Sequence, residues 1–417
     1  MKRYNFRPSF PADLRIYMLL AKDAQKACEN YLAPTQQLQA GSTSAQTGGS
    51  RLIGAHMPTS GGLYRSLTLG AEIGCNVVQL FTCSPRQWNH PELKADDVQA
   101  FLHARDDTGI DFTVAHDSYL INLAAPSEEI LEKSRRAFLM ELKRANTLQI
   151  KWLVTHMGAH LDQGEDEALA RLAQSLRQIL EETDKLGYTV GIALETTAGQ
   201  GTGLGWRFEQ LGRILRDVGD HPRLGVCLDT CHVFVAGYDL RSRERYDASI
   251  AHFDSTVGID KLKVLHLNDA KKGLGSRVDR HEHIGFGEIG MEPFGFIVTD
   301  PRLMHVPAIV ETPDSDTMHE VNVRRLRHMS EGGGPYAEVT VSLFGHYSEL
   351  SKGEPVTLKL PCCTTLKDAL VELGALNDEL KNIGDHCRFA VNDEFCELTA
   401  QLVDGCAVAV IPPVSGG

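Results

Sequence analysis

The stretch KWLVTHMGAHLDQGEDEALARLAQSLRQILEETDKLGYTVGIALE (151–195) holds one complete strand–helix–strand unit. Its two ends, KWLVTH (151–156) and TVGIALE (189–195), are short aliphatic and β-branched runs without polar alternation. That texture suits parallel strands buried on both faces. Between them, ALARLAQSLRQILEETDKLG (168–187) repeats apolar residues at helical spacing and stops at a glycine. The same texture recurs on both sides at intervals of about 25 to 45 residues. LIGAH (52–56), NVVQLF (76–81) and DFTVAH (111–116) precede it, and RLGVCLD (223–229), KVLHLND (263–269) and VPAIVE (306–311) follow. Eight such units in succession predict a closed (β/α)8 TIM barrel, since an open doubly wound sheet rarely uses eight equal units.

The barrel is expected over residues 51–331. Residues 1–50 end in QQLQAGSTSAQTGGS, a composition that cannot bury a core, and read as a flexible N-terminal extension with at most one helix around Leu14 to Tyr31. After Glu331, GGGP (332–335) reads as a linker. Residues 336–417 change character: EVTVSLFG alternates as a strand, TLKDALVELG is helical, RFAVNDEF is a hairpin, and CAVAVIPPVSGG ends the chain. This is a small α+β domain. From Tyr336 onward 5 Lys/Arg stand against 12 Asp/Glu, a net of −7 within a whole-chain charge of −13. The barrel is therefore less acidic than the total implies. A nucleic-acid partner would need a local positive patch, or metal ions that invert the local sign.

Hydrophobic residues at 42%, charged at 23% and aromatic at 7% exclude wholesale disorder, collagen and coiled coil. Ten cysteines without a CxxC pair form no disulfide framework and read as free thiols in a reducing compartment. No stretch approaches the roughly 18 consecutive apolar residues of a membrane span. The expected location is cytoplasmic, with no membrane partner.

The residues at the strand ends carry the chemistry. Seven of the eight runs supply a metal-capable side chain: His56, His116, His156, Glu195, Asp229, His266 and Glu311. In a (β/α)8 barrel the C-terminal strand ends converge on one face, where active sites lie. Asp229-Thr-Cys-His232 after the sixth strand and Arg277-Val-Asp279-Arg-His281 after the seventh add three more. Imidazole and carboxylate without thiolate suit zinc, manganese or iron. The nine strongest candidates, His116, His156, Glu195, Asp229, His232, His266, Asp279, His281 and Glu311, exceed the three or four ligands of one catalytic zinc, so several ions sharing bridging carboxylates are implied. Cys227 and Cys231 read as packing residues, and His160, His283 and His305 as supporting or surface groups.

Residues 53–331 resemble endonuclease IV, the metal-dependent apurinic/apyrimidinic (AP) endonuclease family of base excision repair. The resemblance is carried by GAHMPTSGGL (54–63), FTCSPRQW (81–88), HDSYLINLAAP (116–126), THMGAHL (155–161), LETTAGQGTGLG (194–205), GVCLDTCHVFVAGYDLR (225–241), LHLNDAKKGLGSRVDRHEHIGFGEIG (265–290) and IVETP (309–313). It implies three zinc ions, manganese or iron being alternatives at some sites. His116, His156 and Glu195 would hold the first. Glu195 would bridge to a second completed by Asp229, His266 and Glu311, and His232, Asp279 and His281 would hold the third. The implied reaction is hydrolysis of the phosphodiester 5′ to an abasic site in double-stranded DNA, leaving a 3′-hydroxyl and a 5′-deoxyribose phosphate, with Glu195 and Glu311 as catalytic carboxylates. Arg86, Tyr119 and Leu120 match residues that enter the duplex, and Lys271, Lys272, Arg277 and Arg280 lie beside the third ligand set as candidate phosphate contacts. Two positions depart from the family pattern: Thr196 stands where Asn is common and Met157 where proline is usual. Neither removes a ligand.

The competing reading is a metal-dependent sugar isomerase or epimerase on the same barrel. It would need a set like Glu195, Asp229, His266 and Glu311, and has no use for His232, Asp279, His281 or a Tyr-Leu wedge. Residues 336–417 resemble the small subunit of molybdopterin synthase, a ubiquitin-like β-grasp sulfur carrier, through AVIPPVSGG (409–417). That resemblance implies activation at the terminal Gly416-Gly417 and two partners, an adenylating enzyme and the molybdopterin synthase large subunit.

Overall fold

A computed structural model describes residues 51–88, 91–161 and 163–413; the extension expected over 1–50 and the terminal Gly416 and Gly417 lie outside the described residues. The described residues divide into two compact units, one over Arg51–Gly333 and the other from Gly334 onward.

In the first unit eight parallel strands close into a barrel. They are β1 (Ile53–His56), β2 (Val77–Phe81), β3 (Phe112–His116), β4 (Trp152–His156), β5 (Gly191–Glu195), β6 (Leu224–Asp229), β7 (Leu262–His266) and β10 (Ala308–Val310). Helices α1 (Tyr64–Glu72), α2 (Ala95–Thr108), α3 (Glu128–Thr147), α4 (Glu165–Lys185), α5 (Phe208–Val218), α6 (Thr230–Ala236), α7 (Arg243–Thr256), α8 (Met291–Thr299) and α9 (Ser315–Ser330) connect them. Inside the barrel, Val77, Val114, Val154, Ala193, Cys227, Val264 and Ile309 form one fully buried layer. Such a layer makes the barrel a packed core, not a pore. On α4 the buried residues Ala168, Leu169, Leu172, Leu176, Ile179 and Leu180 recur at three- and four-residue steps, the stripe that helical spacing predicts.

Strand register sets the mouth. His156 pairs with Glu195, Asp229 with His266, Phe81 with His116 and His56 with Gln79. Beyond β7, a small hairpin of β8 (Asp269–Ala270) and β9 (His281–Glu282) carries His281 back over the mouth. The buried Asp269 carboxylate pins the following loop by accepting from the backbone N–H groups of Gly285, Gly287 and Ile289 at 2.9–3.0 Å.

The second unit is a five-stranded sheet in the order β12 (Val356–Pro361), β11 (Tyr336–Leu343), β15 (Ala407–Ile411), β13 (Arg388–Val391), β14 (Glu394–Cys396), with α10 (Leu366–Leu376) against it. β11 and β15 run parallel and the other neighbours antiparallel, a β-grasp arrangement. Alternating Val339, Val341 and Leu343 join Leu366, Leu370, Leu373, Phe389 and Val410 in its core. Asn392 and Asp393, both at positive φ (49° and 69°), make the two-residue turn of the RFAVNDEF hairpin. No helix among the described residues is long and apolar enough to cross a membrane.

Candidate metal centre

The strand ends, with α6 and the segment after β7, bring the nine candidate ligands to one mouth. His116, His156 and Glu195 form one group whose ligand atoms all lie within 4.8 Å of one another; Glu195, Asp229, His266 and Glu311 form a second, and His232, Asp279 and His281 a third. Glu195 joins the first two: its Oε2 lies 3.1 Å from His116 Nε2 and 3.0 Å from His156 Nε2. Its Oε1 lies 3.0 Å from His266 Nδ1. His266 Nδ1 is also 3.2 Å from Glu311 Oε2, and His232 Nε2 is 3.2 Å from Asp279 Oδ2.

Local folding explains each placement. Asp229 ends β6 and caps α6, its Oδ1 accepting from His232 N at 2.9 Å, so the first turn of that helix delivers His232. Asn268 Nδ2 donates to Asp229 Oδ2, and Asn268 Oδ1 accepts from Glu311 N, both at 2.7 Å. Thr196 tolerates its departure from the family pattern because its Oγ1 accepts from Asp229 N at 2.9 Å while its carbonyl holds His232 Nδ1 at 2.8 Å. Met157 is buried.

The electrostatics are those of a cation site. Burial alone would depress the His116 imidazole, but the carboxylates of Glu195, Glu311 and Asp117 outweigh it and push it up to about 10. Burial would raise Glu195, yet the imidazoles of His266, His156 and His116 hold it well below the usual carboxylate range. Glu311 is held low against its burial, chiefly by His266 and His56. His281 Nε2 is buried without a hydrogen-bond partner among the described residues, 3.4 Å from Asp279 Oδ1 and 3.7 Å from Asp229 Oδ2. A nitrogen so placed between two carboxylates fits a divalent cation, and the hard O and N donors suit zinc or manganese.

The thiols of Cys227 and Cys231 also lie near metal-capable groups. Burial pushes both well up, Cys227 lies in the apolar layer of the barrel, and Cys231 Sγ faces Arg280 O at 3.6 Å. His283 is buried beside Asn322 and Asp314, and His305 is exposed.

A cavity of about 410 Å³ opens over the three groups, lined by His56, Phe81, His116, Tyr119, His156, Glu195, His232, Asp279, His281 and Glu311. Tyr119 is 62% exposed, and its ring stands 5.6 Å from Phe81 and 6.0 Å from His116. Burial pushes its phenol up to about 12, with Arg86 near enough to pull against that. Arg86 is exposed and Leu120 half-buried. Lys271, Lys272, Arg277 and Arg280 are exposed, and the Arg277 guanidinium stacks 3.9 Å from the Trp206 ring. Sequence reasoning missed Gln79 and Asn268. Neither is metal-capable, and Gln79 lies within the NVVQLF run, the one strand without a metal-capable end.

A family model described as a xylose isomerase-like TIM barrel matches residues 67–331. The probable endonuclease 4 of Chloroflexus aggregans is 49% identical over 279 residues, covering 66% of this chain and 97% of the relative. The chain belongs to the endonuclease IV family. Its barrel is accordingly a nuclease, a hydrolase by class. The crystal structure of endonuclease IV from Thermus thermophilus is 34% identical with a TM-score of 0.61, covering 68% of this chain and all of that one. A D-tagatose 3-epimerase-like structure, at 17% identity and a TM-score of 0.51 over 67% of this chain and 98% of its own, shares the fold alone. A second model, the ThiS family, matches residues 341–417, so an endonuclease IV barrel is joined to a ThiS-family domain.

Proposed function

We propose that the barrel is a zinc-dependent AP endonuclease that hydrolyses the phosphodiester 5′ to an abasic site in duplex DNA. The observation that carries this reading is the sharing of Glu195 between two ligand groups, with a third group of His232, Asp279 and His281 beside them in the same mouth. Three zinc ions would be held by His116, His156 and Glu195; by Glu195, Asp229, His266 and Glu311; and by His232, Asp279 and His281. When bound, zinc supplies positive charge for the phosphate and acidifies water to a pKa near 7. A sugar epimerase would leave the third group without a task.

The remaining work falls to the chain's own residues. In this reading Glu195 or Glu311 orients the attacking water and takes up its proton. As the water oxygen bonds to phosphorus, the bond from phosphorus to the 3′ oxygen breaks, and that oxygen takes a proton from solvent to leave as the 3′-hydroxyl. Tyr119 and Leu120 fill the space of the missing base while Arg86 supports the displaced strand, a displacement least costly where no base stacks. Lys271, Lys272, Arg277 and Arg280 meet the flanking phosphates.

The deciding experiment gives purified protein a duplex with one tetrahydrofuran abasic analogue, before and after chelation. The analogue cannot undergo β-elimination, so chelator-sensitive incision leaving a 3′-hydroxyl supports hydrolysis. No incision by the metal-replete protein would sink the reading and make sugars the next substrates.

For the second unit we read a sulfur carrier acting in the cytoplasm. An adenylating enzyme would activate the Gly417 carboxylate, and the molybdopterin synthase large subunit would receive the sulfur. Support comes from the β-grasp topology and the family match, and Gly-Gly has no side chain to obstruct a narrow active-site channel. Mass spectrometry after incubation with ATP, an adenylating enzyme and a sulfur donor tests it; an unchanged Gly417 carboxylate counts against it. Deleting residues 332–417 should leave incision intact.

A further inference from the structure

The strand without a metal-capable end, β2, brings an amide to the mouth instead. Gln79 on β2 is completely buried and touches groups from three other strands. Its Nε2 donates to Glu311 Oε1 at the end of β10 and lies 2.9 Å from His56 Nδ1 on β1. Its Oε1 lies 2.8 Å from His266 Nε2 on β7.

The roles of these atoms follow from what each group can do. A carboxylate only accepts, so the amide nitrogen must face Glu311 and the amide oxygen must face His266. That oxygen also only accepts, so His266 Nε2 must carry the hydrogen. In the neutral ring that metal binding requires, His266 Nδ1 would then present its lone pair on the side of Glu195 Oε1 at 3.0 Å and Glu311 Oε2 at 3.2 Å. The second amide hydrogen goes to His56 Nδ1, so three of the four bonding positions of the side chain are used. Gln79 engages Glu311 Oε1 and leaves Oε2 turned toward His266 Nδ1.

We infer that Gln79 is a positioning residue for the shared metal site, fixing the His266 tautomer and the Glu311 rotamer through one amide. This rests on reading Glu195, Asp229, His266 and Glu311 as ligands of one ion. Groups that orient metal ligands in this way typically change metal affinity about 10- to 100-fold when lost. A side chain that merely fills space would be replaced without loss by methionine, which has a similar length and volume.

The test uses the full chain as wild type, Gln79→Met and Gln79→Glu, loaded with zinc and titrated against a chromophoric chelator. Cobalt-loaded samples report ligand geometry through their visible absorption. Both variants should lose about 10- to 100-fold in affinity at one ion with an altered cobalt band. Gln79→Glu should be the weaker, because it sets a second carboxylate against Glu311. Wild-type isotherms and spectra in both variants would overturn the inference. A wild type that takes up no zinc would instead overturn the metal reading beneath it. Should Gln79→Met fail to fold by circular dichroism, Gln79→Glu decides alone: it keeps the volume and the acceptor for His266, and an unchanged isotherm overturns the proposal.

Discussion

Two layers of one barrel differ by a single pleat. The lower is Val77, Val114, Val154, Ala193, Cys227, Val264 and Ile309, all fully buried. The upper is Gln79, His116, His156, Glu195, Asp229, His266 and Glu311, each two positions further along the same strand. Side chains two apart share a strand face, so both layers point inward. On β1 the equivalent pair is Gly54 and His56; a Cβ on Gly54 would lie 1.7 Å from Val77 O, so only glycine fits beneath. The contrast shows how a barrel holds three carboxylates and several imidazoles directly above a dry floor. The apolar floor keeps water out and the local dielectric low, which strengthens every pairing above it. It also fixes register, because a one-residue slip would turn all the ligands outward into the helices.

The largest break in that comparison is Glu195→Ala. It puts an alanine above Ala193, removes the carboxylate common to two ligand groups, and leaves His116, His156 and His266 facing one another. Incision should fall below detection, and the metal content by elemental analysis should drop. Full activity with an unchanged metal count would disprove the assignment.

Removing the ions instead should make the upper layer depend on protons. In metal-free protein His116 is raised from 6.5 to about 10 by its carboxylate neighbours. A raised folded-state value gives stability that is fully present below the unfolded value of 6.5 and lost as pH rises toward about 10. The melting temperature of chelated protein should therefore fall across that window, while zinc-loaded protein, whose ions replace the protons, should change less. Parallel melting curves against pH would contradict this.

The lower layer was the legible one. Runs such as NVVQLF and DFTVAH declare buried parallel strands, and a ligand at a strand end declares itself by residue type. The hidden features are those made by pairing across strands. Gln79 is polar but not metal-capable, and its partners His56, His266 and Glu311 lie up to 232 residues away in sequence. Asn268 likewise links Asp229 to the Glu311 backbone, a bond visible only once β6, β7 and β10 are neighbours. The short α6 and the β8–β9 hairpin were also illegible, since both are set by the cap at Asp229 and the loop around Asp269.

Tyr119 adds a third level, above the ligands and 62% exposed. Tyr119→Ala should leave metal content and melting temperature nearly unchanged while weakening abasic-duplex binding by about 1–3 kcal/mol, the usual value of one base-stacking contact. Fluorescence anisotropy with chelator-inhibited protein separates binding from cutting. An unchanged dissociation constant would remove Tyr119 from the DNA interface.

The smallest effect is expected where the two layers come closest to exchanging roles. Cys227 is the one member of the apolar floor able to bind metal, and its sulfur lies near Glu195 and His266. If the floor is only packing, Cys227→Ala removes one sulfur from a site that relaxes partly, destabilising the chain by about 1 kcal/mol. Metal count, metal affinity and incision should all stay at wild-type values. Loss of an ion would move Cys227 into the upper layer and place the boundary between floor and ligands one pleat lower on β6 than on its neighbours. Burial pushes this thiol well up, which opposes the thiolate that ligation requires. The bulge between Val226 and Cys227 is the irregularity in this part of the barrel that could shift a side chain between levels. Asp229 still pairs with His266 in register beyond it, so the strand has recovered its phase before the ligands begin.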